Sequence, residues 1–244
     1  MTILLEIRSL AVNIGALYVI QGISLTIGDR ELLFLLGRNG AGKTTLLKTI
    51  AGLIRPTSGS ITYNGVDITN KPPYFRARLG IRYAPDNRRL FQSLTVEENL
   101  AVSLMSEGVS GDSMRDRIEY IYTIFPDLKR LRKLRASQLS GGQQQMLNIG
   151  RAIASPNLKV LLIDEPTEGL SPIYASKIAK VLGDLVSENK SLSMVIVETK
   201  PSLMRKLGGR FVVINSGRIA LEGSVDDILE RPDLLSLYLG TKPA

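Results

Sequence analysis

Gly37-Arg38-Asn39-Gly40-Ala41-Gly42-Lys43-Thr44, which follows the apolar run Leu32-Leu33-Phe34-Leu35-Leu36, is the stretch around which the rest of the chain reads. A short apolar run bounded by glycine predicts a buried strand, and the periodicity from Lys43 to Ala51 predicts a helix that Gly52 ends. Strand, glycine loop and helix together make an anion cradle. Glycines at Gly37, Gly40 and Gly42 let backbone N–H groups turn inward onto phosphate oxygens, and the helix N-terminus adds bare N–H groups of its own. In such a cradle Lys43 reaches the β- and γ-phosphates of a nucleotide, and the Thr44 hydroxyl serves as a ligand for Mg²⁺. The predicted fold class is α/β, with this phosphate-binding loop at the end of a buried strand.

Two further motifs carry chemistry. Val160-Leu161-Leu162-Ile163-Asp164-Glu165 is an apolar strand that ends in two carboxylates. Adjacent acids at a buried strand end are costly unless each has a task. Asp164 suits an outer-sphere hold on Mg²⁺, through water, because that ion retains several waters. Glu165 then faces the attacking water as the catalytic carboxylate that orients and deprotonates it. Leu139-Ser140-Gly141-Gly142-Gln143 opens a predicted helix running to Ala154 and forms a second anion site. One γ-phosphate does not need two full sites from one subunit.

Composition narrows the chemistry from the other side. The 244 residues contain no histidine and no cysteine, so imidazole and thiolate catalysis, disulfides and cysteine-ligated metals are excluded. A carboxylate must act wherever a base is needed. The net charge of +8 suits an anionic partner, whether nucleotide, nucleic acid or lipid surface, without choosing among them. The apolar stretches are of strand length, too short to span a bilayer, and Glu6 and Arg8 interrupt the N-terminal segment that a secretory signal would need. A cytosolic chain is expected.

Along the chain, Leu4 to Val12 and Ile23 to Ile27 read as strands, and Asn64-Gly65 reads as a hairpin turn between Ile61–Tyr63 and Val66–Ile68. Ile81 to Ala84 is a further strand. Thr95-Val96-Glu97-Glu98 is a capping box for a helix toward Met105, and Ser113 to Phe125 and Leu128 to Leu134 read as two more helices. The basic run from Lys129 to Arg135 has interleaved leucines. It reads as a solvated helix face with its leucines inward, or as a contact for anionic lipid or nucleic acid. After Pro156 strands and helices alternate again: a helix from Pro172 toward Asn189, a strand from Ser193 to Val197, a hairpin across Ser216-Gly217, and a helical end from Val225.

The order of glycine loop, Leu-Ser-Gly-Gly-Gln and apolar strand with Asp-Glu resembles the ATP-binding subunits of ABC transporters over nearly the whole chain. That resemblance implies one ABC ATPase domain over 1–244. A nucleotide-binding α/β core with an N-terminal antiparallel β subdomain spans 1–91 and 156–244, and a helical subdomain carrying the signature motif is inserted at 92–155. It implies a head-to-tail dimer. Gly37, Asn39, Gly40, Ala41, Gly42, Lys43, Thr44 and Thr45 hold ATP in one subunit while Ser140, Gly141, Gly142 and Gln143 of the other close over it. It also implies ATP and Mg²⁺ as ligands, permease subunits met by the helical lobe, and a place on the cytoplasmic face of the membrane. The wording Leu94-Thr95-Val96-Glu97-Glu98-Asn99-Leu100, Glu165-Pro166-Thr167-Glu168-Gly169-Leu170-Ser171-Pro172 and Tyr238-Leu239-Gly240 is similar to the smaller ATPase subunit of branched-chain amino-acid importers. Urea and amide importers are close relatives. Such importers pair two different ATPase chains and act with an extracytoplasmic binding protein, so a heterodimer and no nucleic acid are expected.

Three positions depart from the family pattern. The adenine-stacking aromatic falls at Ile14, leaving apolar contact or nearby Tyr18 to hold the base. The γ-phosphate-sensing glutamine of the loop falls at Asp86, a carboxylate that only accepts hydrogen bonds. The switch histidine falls at Thr199, which is shorter and reaches γ-phosphate through a bridging water. These departures predict a slow ATPase. A non-hydrolysing ATP-gated dimer module is the alternative they raise, and a soluble nucleic-acid-directed ATPase is the one the basic charge raises.

Overall fold

A computed structural model describes residues 2–188 and 191–239. The expected helix end at Asn189 and Gly240 of the terminal motif lie outside the described residues. Strand β1 (Ile3–Ile14) turns at Gly15 into β2 (Leu17–Gly28), and β4 (Ser58–Tyr63) and β5 (Val66–Asp67) complete an antiparallel sheet in the order β2-β1-β4-β5. The second sheet has the order β10-β9-β3-β8-β7-β6, from β10 (Arg218–Ser224), β9 (Arg210–Asn215), β3 (Leu32–Leu36), β8 (Ser193–Val197), β7 (Val160–Asp164) and β6 (Ile81–Ala84). Its strands run parallel from β9 to β6, and only β10 is antiparallel to its neighbour.

Alternation along β3 divides the interior into two layers, as a period of two requires. Leu33 and Leu35 face helix α1 (Lys43–Ile50) and the antiparallel sheet, whereas Leu32, Phe34 and Leu36 face the remaining helices. Leu46, Leu47 and Ile50 of α1 are fully buried between the two sheets. Burial of each is worth about 1.5–3 kcal/mol, which holds the helix that carries the glycine loop in a fixed place.

Between β6 and β7, two strands that pair directly, the chain runs through α3 (Val96–Met105), α4 (Gly111–Ile124), α5 (Pro126–Arg130) and α6 (Gly141–Ile153). Thr95 caps α3 as the sequence indicated, its hydroxyl accepting from the Glu98 N–H and its own N–H donating to Glu98. The helix expected over Leu128 to Leu134 differs: α5 starts at Pro126 and stops at Arg130. The reason is competition for the backbone. The Val96 N–H donates to Leu134 O and the Ala136 N–H to Leu94 O, which draws this segment into an extended bridge beside the α3 cap. In the basic run, Lys129 pairs with Glu119 and Arg130 with Asp127, and Leu134 is partly exposed rather than turned inward.

Helix α2 (Pro73–Arg78) lies in a stretch without helical periodicity and is a finding of the structure. The C-terminal half adds α7 (Pro172–Glu188), α8 (Pro201–Leu207), α9 (Val225–Leu229) and α10 (Pro232–Leu239).

Candidate nucleotide-hydrolysis site

Four parallel strands deliver their C-terminal ends to one edge of the sheet, where open α/β sheets bind ligands. The glycine loop follows β3, Asp164 ends β7, Thr199 lies just beyond β8, and Asp86 lies just beyond β6. Residues from four distant parts of the sequence therefore converge because the strands that carry them are neighbours. The glycines permit the loop itself. A Cβ on Gly37 would sit 2.1 Å from Ile214 O, and one on Gly42 2.8 Å from Ile20 Cδ1, both at positive φ. No other residue fits those positions without displacing the floor of the loop.

A cleft of 470 Å³ opens above the loop, lined by Ile14, Val19, Asn39, Gly40, Gly42, Lys43, Thr44, Thr45 and Glu165. Gly37 and Ala41 do not line it. Ile14 is 48% exposed and lines the cleft, while Tyr18 is 72% exposed and does not; its neighbour Val19 does. Val19 carries no motif signal, because an apolar residue in a strand reads as core. Asp86 and Thr199 also lie outside the lining, although the Asp86 charge helps push up both Asp164 and Glu165.

The Lys43 ammonium is buried and donates to Gly37 O at 2.7 Å and Arg38 O at 3.0 Å. Burial lowers its pKa, and Glu165 and Asp164 act against that shift. Asp164 is completely buried. Its Oδ1 accepts from the Thr44 hydroxyl and its Oδ2 from the Tyr83 hydroxyl, both at 3.1 Å. Burial pushes the Asp164 carboxyl up, and the two hydrogen bonds oppose that shift. The same burial, with the Asp164 charge, pushes the Tyr83 hydroxyl up, so it stays a donor. In the sequence Tyr83 reads as an ordinary strand aromatic and carries no signal of this contact.

At Glu165 the chain leaves β7 with φ of 48°, a left-handed conformation that turns its side chain into the cleft. Burial first, and the Asp164 charge second, push the Glu165 carboxyl above the ordinary glutamate value, with Lys43 opposing. A base moved toward neutral pH beside a buried ammonium is suited to accepting a proton from water.

The Ser140–Gln143 group is elsewhere, at the N-terminus of α6, and none of its members lines the cleft. Ser140 caps the helix, its N–H donating to Gln143 Oε1 at 2.9 Å and its hydroxyl accepting from the Gln143 N–H. Gly142 packs so closely on Tyr174 that a Cβ would meet the ring at 2.3 Å.

The fold and the cleft define a P-loop nucleotide hydrolase cassette. The family model described as ABC transporter matches residues 20–168. A high-affinity branched-chain amino acid transport ATP-binding protein of Pseudomonas aeruginosa is 36% identical over 226 residues, covering 93% of this chain and 95% of its own. A lipopolysaccharide export system ATP-binding protein of Haemophilus influenzae is 32% identical, covering 97% of each chain. An ATP-binding cassette solved as a dimer in a post-hydrolysis state with ADP and Pi superposes with a TM-score of 0.80 at 26% identity, covering 91% of this chain and 98% of that one. The chain belongs to the ABC transporter family, as an ATP-hydrolysing cassette.

Proposed function

We propose that this chain powers a membrane importer, with branched-chain amino acids as the cargo class, and that its residues divide the work of ATP hydrolysis as follows. The loop from Gly37 to Thr45 holds the phosphates, with Lys43 as the charge on the β- and γ-groups. Glu165 orients the attacking water and accepts its proton, while the surrounding N–H groups stabilise the charge that develops on phosphate. Ile14 and Val19 support adenine by apolar contact. Asp86 and Thr199 respond to the γ-phosphate from the flanking strand ends. The observation that carries this reading is the convergence of Lys43, Thr44 and Glu165 on one cleft with Asp164 behind them.

A hydroxyl and a carboxylate joined by a hydrogen bond form a hard oxygen donor set that fits Mg²⁺, so Thr44, and Asp164 through water, would hold that ion. When bound, Mg²⁺ neutralises charge on the β- and γ-phosphates.

The position of Ser140, Gly141 and Gly142 outside the cleft supports a site completed by a second ATPase subunit, and we take a sibling chain rather than a second copy as that partner. Permease subunits are the proposed second partner, with a binding protein supplying the cargo outside the membrane. A 400 Å³ groove whose lining includes Arg82, Arg88, Arg89, Phe91 and Arg151 supports docking of a permease segment at the junction of the helical lobe with the core. No helix among the described residues is long and apolar enough to cross a membrane. The reading places the chain peripherally, on the cytoplasmic face.

The test is co-purification from native membranes, followed by reconstitution of the recovered complex. Polytopic permease subunits, and ATP turnover stimulated by a branched-chain amino acid with its binding protein, are expected. Recovery with a lipopolysaccharide-handling membrane complex would overturn the cargo assignment.

A further inference from the structure

Glu198 directly follows β8 and is 1% exposed, a depth at which a carboxylate must have its lone pairs filled. Oε1 accepts from the backbone N–H groups of Thr199 at 2.8 Å and Lys200 at 3.0 Å. Oε2 accepts from the Thr167 hydroxyl at 2.8 Å, and Thr167 is itself buried. Two more bonds run alongside. The Lys200 ammonium donates to Thr167 O at 2.7 Å, and the Glu165 N–H donates to Val197 O at 3.0 Å. The segment from Val197 to Lys200 is thus stitched to the segment from Glu165 to Thr167 by three hydrogen bonds, and the Glu198 carboxylate accepts both the Thr167 hydroxyl across that gap and two N–H groups of its own segment.

We propose that Glu198 is a positioning residue for hydrolysis: its buried carboxylate locks the switch segment at Thr199 to the turn that aims Glu165, fixing both in one register. The geometry requires such a lock. Glu165 sits at positive φ just past the end of β7, and its backbone N–H is held to the neighbouring strand through Val197 O. Thr199 follows the same Val197 by two residues. Both groups that face the γ-phosphate therefore hang from a short length of irregular chain, and Glu198 bridges the two lengths. A carboxylate suits this place because one oxygen takes two N–H donors while the other takes a hydroxyl. The inference rests on the assignment of Glu165 and Thr199 to the γ-phosphate side of the site.

The experiment uses the complex recovered from native membranes, carrying either the wild-type or the variant chain, and measures steady-state phosphate release and KM for ATP, with affinity for a fluorescent ATP analogue and thermal stability measured on the same preparations. Glu198→Ala is expected to lower kcat on the order of 10- to 100-fold, the size of effect that small misplacement produces, while KM and analogue affinity stay within about 2-fold. Glu198→Gln keeps the two N–H contacts and can pair with Thr167 with donor and acceptor exchanged, so it is expected to restore kcat to within about 3-fold of wild type. Thr167→Val removes a single bond at nearly constant volume. It keeps the proposal testable if Glu198→Ala does not fold, and it is expected to lower kcat roughly 3- to 10-fold with unchanged analogue affinity.

Wild-type kcat in folded Glu198→Ala or in Thr167→Val overturns the proposal. So does Glu198→Gln as slow as Glu198→Ala, or a loss of analogue affinity equal to the loss of kcat. Glu165→Gln serves as the control for the underlying assignment. If it turns over ATP like wild type, the site reading fails; if it is inactive while Glu198→Ala is not slowed, only the positioning role fails.

Discussion

Arg76→Met should lower the melting temperature by about 6–12 °C. The Arg76 guanidinium is 1% exposed and has no carboxylate among its hydrogen-bond partners. It donates instead to four backbone carbonyls: Nε to Lys71 O at 3.0 Å, Nη1 to Thr49 O at 2.8 Å and Ile50 O at 2.7 Å, and Nη2 to Thr69 O at 2.9 Å. Two of these belong to the last turn of α1, so Arg76 ties off the C-terminus of the helix whose other end holds the glycine loop. Leaving a buried acceptor unpaired costs about 1–3 kcal/mol; Thr49 O keeps a bond from the Gly52 N–H, so three carbonyls lose their donor, for a range of about 3–9 kcal/mol. Methionine also removes a charge that is itself costly there, since burial brings the Arg76 pKa down to about 10. The net therefore falls toward the low end, at about 3 kcal/mol, and a domain of this size loses roughly 2–4 °C per kcal/mol. Thermal unfolding followed by circular dichroism reads the shift directly. A change smaller than about 2 °C refutes the view that this arginine closes the helix end.

Two further outcomes concern the cleft. Ile14→Phe supplies a ring where Ile14 now lines the cleft, and should tighten binding of a fluorescent adenine nucleotide by roughly 2- to 10-fold, the worth of one aromatic stack. Unchanged affinity in that titration would place the base elsewhere. Turnover should fall as pH drops through the Glu165 pKa, because only the ionised carboxylate accepts a proton. Burial and the Asp164 charge raise that pKa, so the acid limb of the kcat profile is expected above 4.5, the ordinary glutamate value, and a limb below it contradicts the assignment.

The parts of the site legible in the sequence are those that chemistry restricts to particular residue types at fixed local spacing. Glycines in the loop, the Asp164-Glu165 pair and the Ser140 cap each leave a local signature; the loop and Glu165 meet at the cleft with Asp164 bonded to Thr44, and the Ser140 cap lies outside it. What was not legible depends on contacts between segments far apart in the chain. Tyr83 and Val19 look like ordinary strand residues until β6 is placed beside β7 and the β1–β2 hairpin over the loop. Arg76 lies on a six-residue helix too short for periodicity, and its partners are carbonyls, which no side-chain pattern reveals. Helix α5 ended early because backbone pairing beside Thr95 outweighed the propensity of the Lys129–Arg135 run. Glu198 leaves no signature in the sequence because a carboxylate whose partners are backbone N–H groups and a distant hydroxyl has no motif of its own.

The central claim is that Glu165 serves the attacking water in a cleft built by Lys43 and Thr44. Phosphate release by the recovered complex carrying Glu165→Gln, measured beside the wild-type complex with nucleotide binding monitored in parallel, tests it most directly. The account predicts a fall of about 10²-fold or more in turnover with nucleotide still bound. Wild-type turnover in that variant would contradict it.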